Sequence, residues 1–190
     1  TLGAKLGAPG PEGQTSPVGG NAGLSGSLLD PSVSASMPPN RVRDYTQDPS
    51  QHSPMGTLSI RRTITNNTGA PVTYLAFRII EITTYPVPSG TADVRAIDSG
   101  DIQVDVNGQP VDVRGTYVEQ PPFQPNGGGL NSSMGVSYIN FDGNPLAPGD
   151  SVNVQFLLGI VQTGGYRFYV NIEMINGEGP PPDGPAALLS

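Results

Sequence analysis

Glycine and proline together limit what this chain can fold into more than any other feature of its sequence. They account for 26 and 21 of its 190 residues, which is close to the level at which a chain becomes low-complexity rather than globular. Because both residues interrupt regular structure, no window carries a helical period with caps. The sequence therefore predicts short strands joined by many turns, and an all-β fold.

The aromatic residues show where the core lies. Eleven of the twelve Tyr and Phe residues fall between residues 55 and 176. Residues 1–54, rich in Gly, Pro and Ser, cannot bury enough apolar surface to fold alone. The sequence thus predicts an extended arm over residues 1–54, one β-domain over 55–176, and a short Pro/Gly-rich tail over 177–190.

Alternating apolar residues predict about seven strands within the domain. Asn107-Gly108 stands between two alternating runs, a strong signal for a tight hairpin because both residues tolerate positive φ. The last run, from Tyr166 to Met174, has five apolar residues on one face and is predicted to be a long central strand. This number and spacing of strands predict a single antiparallel two-sheet β-sandwich.

The arm carries two further stretches with a period of two. Their small or apolar members suit strands that insert beside other strands. We predict a subunit interface built from this face of the arm: Ala22, Leu24, Gly26, Leu28, Val33, Ala35 and Met37.

Three motifs resemble bacterial extracellular immunoglobulin-like modules. Leu146-Ala147-Pro148-Gly149-Asp150-Ser151 is similar to the segment that opens one of their last strands, and Gly165-Tyr166-Arg167-Phe168 to the segment that opens its partner. Thr65-Asn66-Asn67-Thr68-Gly69 looks like their turn after the first long strand. The resemblance covers about residues 56–176 and implies an immunoglobulin-like fold on the cell surface or outside the cell, after removal of an N-terminal signal. Such modules serve as spacers, adhesive units, carbohydrate binders or filament subunits.

Composition argues against most catalytic chemistry. There is no Cys, and His52 is the only His, so thiolate sites and multi-His metal centres are excluded. His52 lies in a turn-rich stretch unsuited to a catalytic triad. We expect no enzyme activity, no cofactor and no metal. One alternative stays open: an acidic series near the hairpin forms either a calcium site or a solvated face, and consists of Asp93, Asp98, Asp101, Asp105 and Asp112.

Partners follow from charge and hydropathy. A net charge of −7 with scattered Arg residues argues against nucleic acid, and no apolar run is long enough to span a membrane. Asn66 and Asn131 match the N-glycan acceptor sequence. The loop from Glu119 to Gly129, with Phe123 at its tip, is predicted to be the ligand edge if the domain binds glycans.

The predicted function is that of a structural subunit in an extracellular homopolymer, such as a filament or pilus-like fibre. In it the N-terminal arm of one copy packs on the next copy or donates a strand to it. One alternative is a glycan- or protein-binding adhesin module, and another is a virion decoration or tail protein.

Overall fold

The computed structural model describes residues 23–82, 92–118, 127–129, 132–136 and 144–176, and it confirms that the chain is all-β. A 3-10 turn over Pro49–Gln51 is the helical element among these residues. The strands are β1 (Leu24–Leu28), β2 (Arg41–Asp44), β3 (Thr57–Asn66), β4 (Val72–Ile82), β5 (Asp93–Ile97), β6 (Ile102–Val106), β7 (Gln109–Gly115), β8 (Tyr117–Val118), β9 (Ser133–Val136), β10 (Ser151–Gln162) and β11 (Phe168–Asn176).

The strands form two sheets. The larger has the order β1-β3-β10-β7-β6, with β2 also on β3 and β5 also on β10; the smaller has the order β11-β4-β9-β8. All pairs are antiparallel except β10 with β7, which is parallel. The predictions of about seven strands and of purely antiparallel pairing are therefore wrong. Two of the extra strands, β1 and β2, come from the arm. Others are very short, such as β8 with two residues and β9 with four.

The core lies between the two sheets, in a sandwich-like arrangement. Phe77 of β4 meets Phe156 of β10 edge to face, with ring centroids 4.9 Å apart, and Phe156 also contacts Phe168 of β11 at 5.9 Å. Alternation explains which residues enter it: Leu58, Ile60 and Ile64 of β3 are buried, while Ser59, Arg61 and Thr63 face the other side. Large apolar side chains from both sheets thus share one interior.

Strands β1 and β2 are two halves of one interrupted edge strand. Both run antiparallel to β3, with β1 beside Arg62–Asn66 and β2 beside Thr57–Ile60. Residues 29–40 leave the sheet between them. The buried side chain of Asn40 closes this excursion: its Oδ1 accepts from Asp30 N at 2.8 Å, and its Nδ2 donates to Asp30 O at 2.7 Å. The Asn40 side chain thus satisfies the backbone N–H and C=O of Asp30, which a neighbouring strand would otherwise bond.

The arm only partly matches its predicted strands. Leu24–Leu28 is a strand, but Val33–Met37 is a series of turns, so the second predicted strand is wrong. The physical reason is the Asn40 amide, which also donates to the carbonyls of Val33 and Ser34, in a stretch bounded by prolines. The structure places both β1 and β2 in the larger sheet of the domain, whereas the sequence assigned them to a separate arm.

The predicted hairpin is confirmed. β6 and β7 pair around Asn107 and Gly108, whose φ angles are +54° and +79°. Val104 and Val113 of this hairpin form a small second core with Leu29. Since Leu29 follows β1, the hairpin reaches back to the opposite edge of the large sheet and packs against the chain where it leaves that edge.

Strand β11 is an edge strand rather than the central strand that the sequence predicts. It ends the four-stranded sheet and pairs with β4 alone among the described strands. The central strands of this sheet are β4 and β9. Alternating apolar residues show that one face of a strand is buried. Central and edge strands both have this pattern, so the pattern could not show that β11 lies at an edge. In the part of the chain that the structure describes, no helix has the length and apolarity of a membrane span.

Candidate functional site

The outer edge of β11 is the first candidate for a binding surface. No other strand pairs with it within residues 23–82, 92–118, 127–129, 132–136 and 144–176. Its inward side chains Phe168, Val170 and Ile172 pack on the core and are only partly buried. On the opposite face Tyr169 is 58% exposed. A nine-residue edge with an apolar inner row has the backbone groups and the side chains to accept another strand.

A cavity of about 540 Å³ beside β2 is the second candidate. Leu58, Val94 and Ile160 form its apolar floor, and Arg41, Arg43, Tyr45 and Tyr166 stand around it. Ser36 and Pro38, from the excursion between β1 and β2, complete the wall. The cavity therefore opens where the large sheet ends and the turn before β11 begins.

The register of β2 aims its arginines toward this cavity. Arg41 lies opposite Ile60 and Arg43 opposite Leu58, and residues directly opposite in a sheet point to the same face. Both arginines thus share the face of buried core residues. Arg41 Nη1 donates to the Tyr166 hydroxyl at 2.9 Å, while the Arg43 guanidinium lies 4.4 Å from the centre of the Tyr45 ring.

The arginines at the cavity differ from the other arginines of the chain in their hydrogen-bond partners. Four of the eight arginines pair with carboxylates elsewhere: Arg78 with Glu173, Arg95 with Asp93, Arg114 with Asp101 and Arg167 with Glu81. The other four are on β2 and β3 and donate to uncharged oxygens, as Arg43 does to the carbonyls of Thr57, Asp44 and Met55.

Arg62 does not line the cavity but interacts electrostatically with Arg41 and Tyr166, which do. Burial lowers the pKa of the Arg62 guanidinium; Tyr166 opposes this change and the neighbouring Arg41 adds to it. The guanidinium nevertheless stays charged, because its ordinary pKa lies far above neutral pH. Within the described part of the chain, no carboxylate forms an ion pair with Arg41, Arg43 or Arg62, so the site is suited to a negatively charged ligand.

The predicted interface residues fall in three places. Leu24, Gly26 and Leu28 lie in β1, paired with β3 of the same chain. Val33, Ala35 and Met37 lie in the turns that border the cavity, where Met37 is 55% exposed. Ala22 lies outside the described residues, as do Phe123 of the predicted ligand loop and Asn131 of the second glycan sequence.

Asn66, the other predicted glycan acceptor, is used inside the fold. Its side chain is fully buried, and Nδ2 donates to the carbonyls of Ala70 and Leu146, each at 2.9 Å. Oδ1 accepts from the backbone and hydroxyl of Thr68. A glycan on Nδ2 conflicts with this geometry, because it needs space and a hydrogen that the fold already uses. The turn after β3 is thereby fastened to the segment that precedes β10.

The remaining candidates form no site together. The five aspartates of the acidic series each accept a hydrogen bond from the protein, and no cluster of three or more His, Asp or Glu residues suited to a metal occurs in the described ranges. His52 ends the 3-10 turn in the left-handed region, at φ +56°. The Asp48 carboxylate in that turn accepts from Ser50.

The cavity was not predicted, although the sequence of β2 contains a signal for it. Arg41, Arg43 and Tyr45 alternate with Val42 and Asp44, a period of two that places two cations and an aromatic ring on one face. Tyr166 gave no such signal, because only the fold brings it to Arg41. In comparisons with known proteins, no family model matches this chain and no curated protein matches it.

Proposed function

We propose that this chain is a structural subunit of an extracellular homopolymer, with an immunoglobulin-like sandwich as its body. In the proposed assembly, the N-terminal residues of one copy add a strand to the outer edge of β11 in the next copy. The observation that carries this proposal is that edge, nine residues long, with partly exposed apolar side chains along its inner row.

Strand addition answers two physical needs of such an edge. Its backbone N–H and C=O groups need partners, and its inner apolar row needs cover. A contact between an arm and an edge involves two different surfaces, so successive copies add head to tail. Such a contact builds a filament when the rotation between copies does not close a ring.

The donor segment lies before Gly23, because β1 and β2 already pair with β3 of their own chain. Leu2, Ala4, Leu6 and Ala8 alternate there with Thr1, Gly3, Lys5 and Gly7, which gives a narrow apolar face suited to packing closely on a sheet edge. The residues from Ala8 to Gly23 span about 50 Å when extended, well beyond the ~14 Å radius of gyration expected for a domain of this size.

The test compares assembly of three forms by sedimentation velocity and electron microscopy. Leu2→Asp with Leu6→Asp removes the apolar face of the donor, whereas Gln14→Asp with Ser16→Asp adds the same charge in the connecting stretch. We expect polymers from the natural chain and from the control, and monomers from the Leu2/Leu6 variant. The same assembly state for all three would contradict the proposal.

A peptide provides a second test on the natural chain. A synthetic peptide of residues 1–10 in excess should occupy the β11 edge and shorten the polymers, and the same peptide with Asp at positions 2 and 6 should not. Polymers of unchanged length with both peptides would count against donation from this segment.

The cavity beside β2 favours a second candidate function, a binding module. Its apolar floor and the arginines Arg41 and Arg43 suit a ligand that combines negative charge with an apolar surface. A domain that binds such a ligand without assembling would be monomeric in all three forms of the sedimentation experiment.

A further inference from the structure

We propose that the cavity beside β2 binds the acidic, proline-rich segment Glu178–Gly184 of a second copy of the chain. This inference deepens the proposed function and rests on it, because it identifies a second contact between copies that assemble through the arm. The segment consists of Glu178, Gly179, three prolines at 180–182, Asp183 and Gly184.

The aromatic and apolar lining of the cavity suits a polyproline helix. Consecutive prolines favour this extended helix, which loses little conformational entropy on binding and docks into grooves lined by aromatic rings. The cavity has Tyr45 and Tyr166 beside an apolar floor of Leu58, Val94 and Ile160. Its volume, about 540 Å³, is in the range of sites that bind compact ligands.

The charges of the cavity and of the segment are opposite in sign. Arg41 and Arg43 form no ion pair within the described part of the chain, and a guanidinium binds a carboxylate through two parallel hydrogen bonds. Glu178 and Asp183 stand on opposite sides of the three prolines. Either orientation of the segment therefore brings one carboxylate to the arginines while the proline rings face the cavity.

The surface around the cavity exposes large apolar and aromatic side chains. Met37, Tyr45 and Met55 are 55%, 76% and 41% exposed, and all three are close to it: Ser36 and Pro38 line the wall, and the Met55 carbonyl accepts from Arg43. Exposed apolar side chains beside arginines that form no ion pair among the described residues favour a protein segment, since such a segment can cover the apolar side chains and the charges together.

The length of the chain requires that the prolines come from another copy. The cavity lies at the Phe168 end of β11, beside Tyr166, while the segment leaves from Asn176 at the other end. Eight residue steps of strand separate the two ends by about 26 Å. Fully extended, the chain from Asn176 reaches about 14 Å at Pro180 and about 22 Å at Pro182. The three prolines therefore cannot enter the cavity of their own chain.

The test is a titration of a fluorescent peptide of residues 177–186 with the full-length chain, followed by anisotropy. We expect saturable binding that weakens as salt is raised. Arg41→Gln with Arg43→Gln should weaken it about tenfold or more, whereas the control Arg114→Gln, which removes one distant charge, should leave it nearly unchanged. Circular dichroism establishes that the variants fold.

Peptide variants give the same test without altering the protein. Replacing Glu178 and Asp183 with Gln and Asn, or the three prolines with Ala, should each weaken binding. The inference is overturned if no saturable binding occurs, or if the Arg41/Arg43 variant binds as well as the Arg114 variant. It is also overturned if an oligogalacturonate binds through Arg41 and Arg43 while the peptide does not, because the cavity then belongs to acidic glycans.

The two proposals fail separately. Leu2→Asp with Leu6→Asp should abolish polymers and still bind the peptide, at least as tightly as the natural chain, because neighbouring copies no longer supply a competing segment. Polymers without peptide binding overturn this inference alone, and peptide binding without arm-dependent polymers overturns only the proposed arm contact.

Discussion

At the scale of single residues, the Asn66 side chain makes four hydrogen bonds inside the fold. Its amide joins the Ala70 carbonyl and the backbone N–H and hydroxyl of Thr68, all in the turn after β3, to the Leu146 carbonyl. Asn66→Ala leaves buried partners without hydrogen bonds, so we expect a loss of about 2–4 kcal/mol in the free energy of unfolding, measured with urea. Asn67→Ala is the control, since Asn67 is exposed and its amide bonds only Ser25 Oγ. Equal losses for the two variants would disprove the role of Asn66.

Asp30 gives a prediction about pH. Hydrogen bonds from the Ser32 side chain and backbone hold the pKa of the Asp30 carboxyl below its ordinary value, although burial opposes them. A carboxyl with a lowered pKa in the folded state stabilises the fold above about pH 4, and this contribution is lost as pH falls through the folded pKa.

We therefore expect Asp30→Asn to be less stable than the natural chain at pH 6, with the difference shrinking at pH 3. Urea midpoints at the two pH values measure it, and Asp150→Asn at an exposed position is the control. A difference that stays constant between pH 6 and pH 3 would show that the Asp30 charge is irrelevant.

At the scale of elements, Gly115 fixes how closely β7 approaches its neighbours. A Cβ at this position would lie 2.6 Å from the carbonyl carbon of Gly100 and closer still to the Ser99 carbonyl oxygen. Gly115→Ala must therefore shift backbone, and we expect a loss of about 3 kcal/mol in urea unfolding. Gly100→Ala is the matched control, with nothing within 4 Å of its Cβ. Comparable stability of the two variants would mean that β7 can move away from Ser99 at little cost.

Most elements were predictable from local patterns, and the failures have physical causes. The hairpin at Asn107-Gly108 follows from the φ angles of two residues, and β3 and β10 follow from their alternation. The position of β11 at a sheet edge depends on which strands meet it, and that information is not local. The turns over Val33–Met37 depend on the Asn40 amide, whose competition with strand pairing leaves no trace in the period of the sequence.

The candidate site was less predictable than the fold. Leu24, Gly26 and Leu28 were singled out as an interface between chains, and the structure shows them on β3 of their own chain. Their alternation specifies a strand without specifying its partner. The cavity combines β2, the floor from β3, β5 and β10, and Tyr166, so it exists only after long-range folding.

At the scale of the whole molecule, the partner of β1 can be tested by cross-linking in a chain that has no Cys. Ser25 and Thr65 are directly opposite in the register of β1 and β3, and opposed residues in an antiparallel pair have a Cα separation that a disulfide can span. Ser25→Cys with Thr65→Cys in one chain should form an internal disulfide, seen on a non-reducing gel. A mixture of the two single variants should give no cross-linked pair.

Ser25→Cys with Thr163→Cys is the control, because these positions are not opposite in any strand pair. Cross-linked pairs from the mixture of single variants would mean that β1 is exchanged between chains, and the donor would then be β1 itself rather than the residues before it.

Because β1 and β2 are interrupted by residues 29–40, part of the cavity wall comes from a loop and not from a strand of the sheet. Asp30 and Asn40 close the excursion at its base, and β1 and β2 keep their own registers on β3 on either side of it. Residues 31–39 form no strand pair of their own, while Ser36 and Pro38 among them line the cavity. We therefore expect substitutions of these two exposed side chains to alter what the cavity binds while β1 and β2 keep their registers on β3.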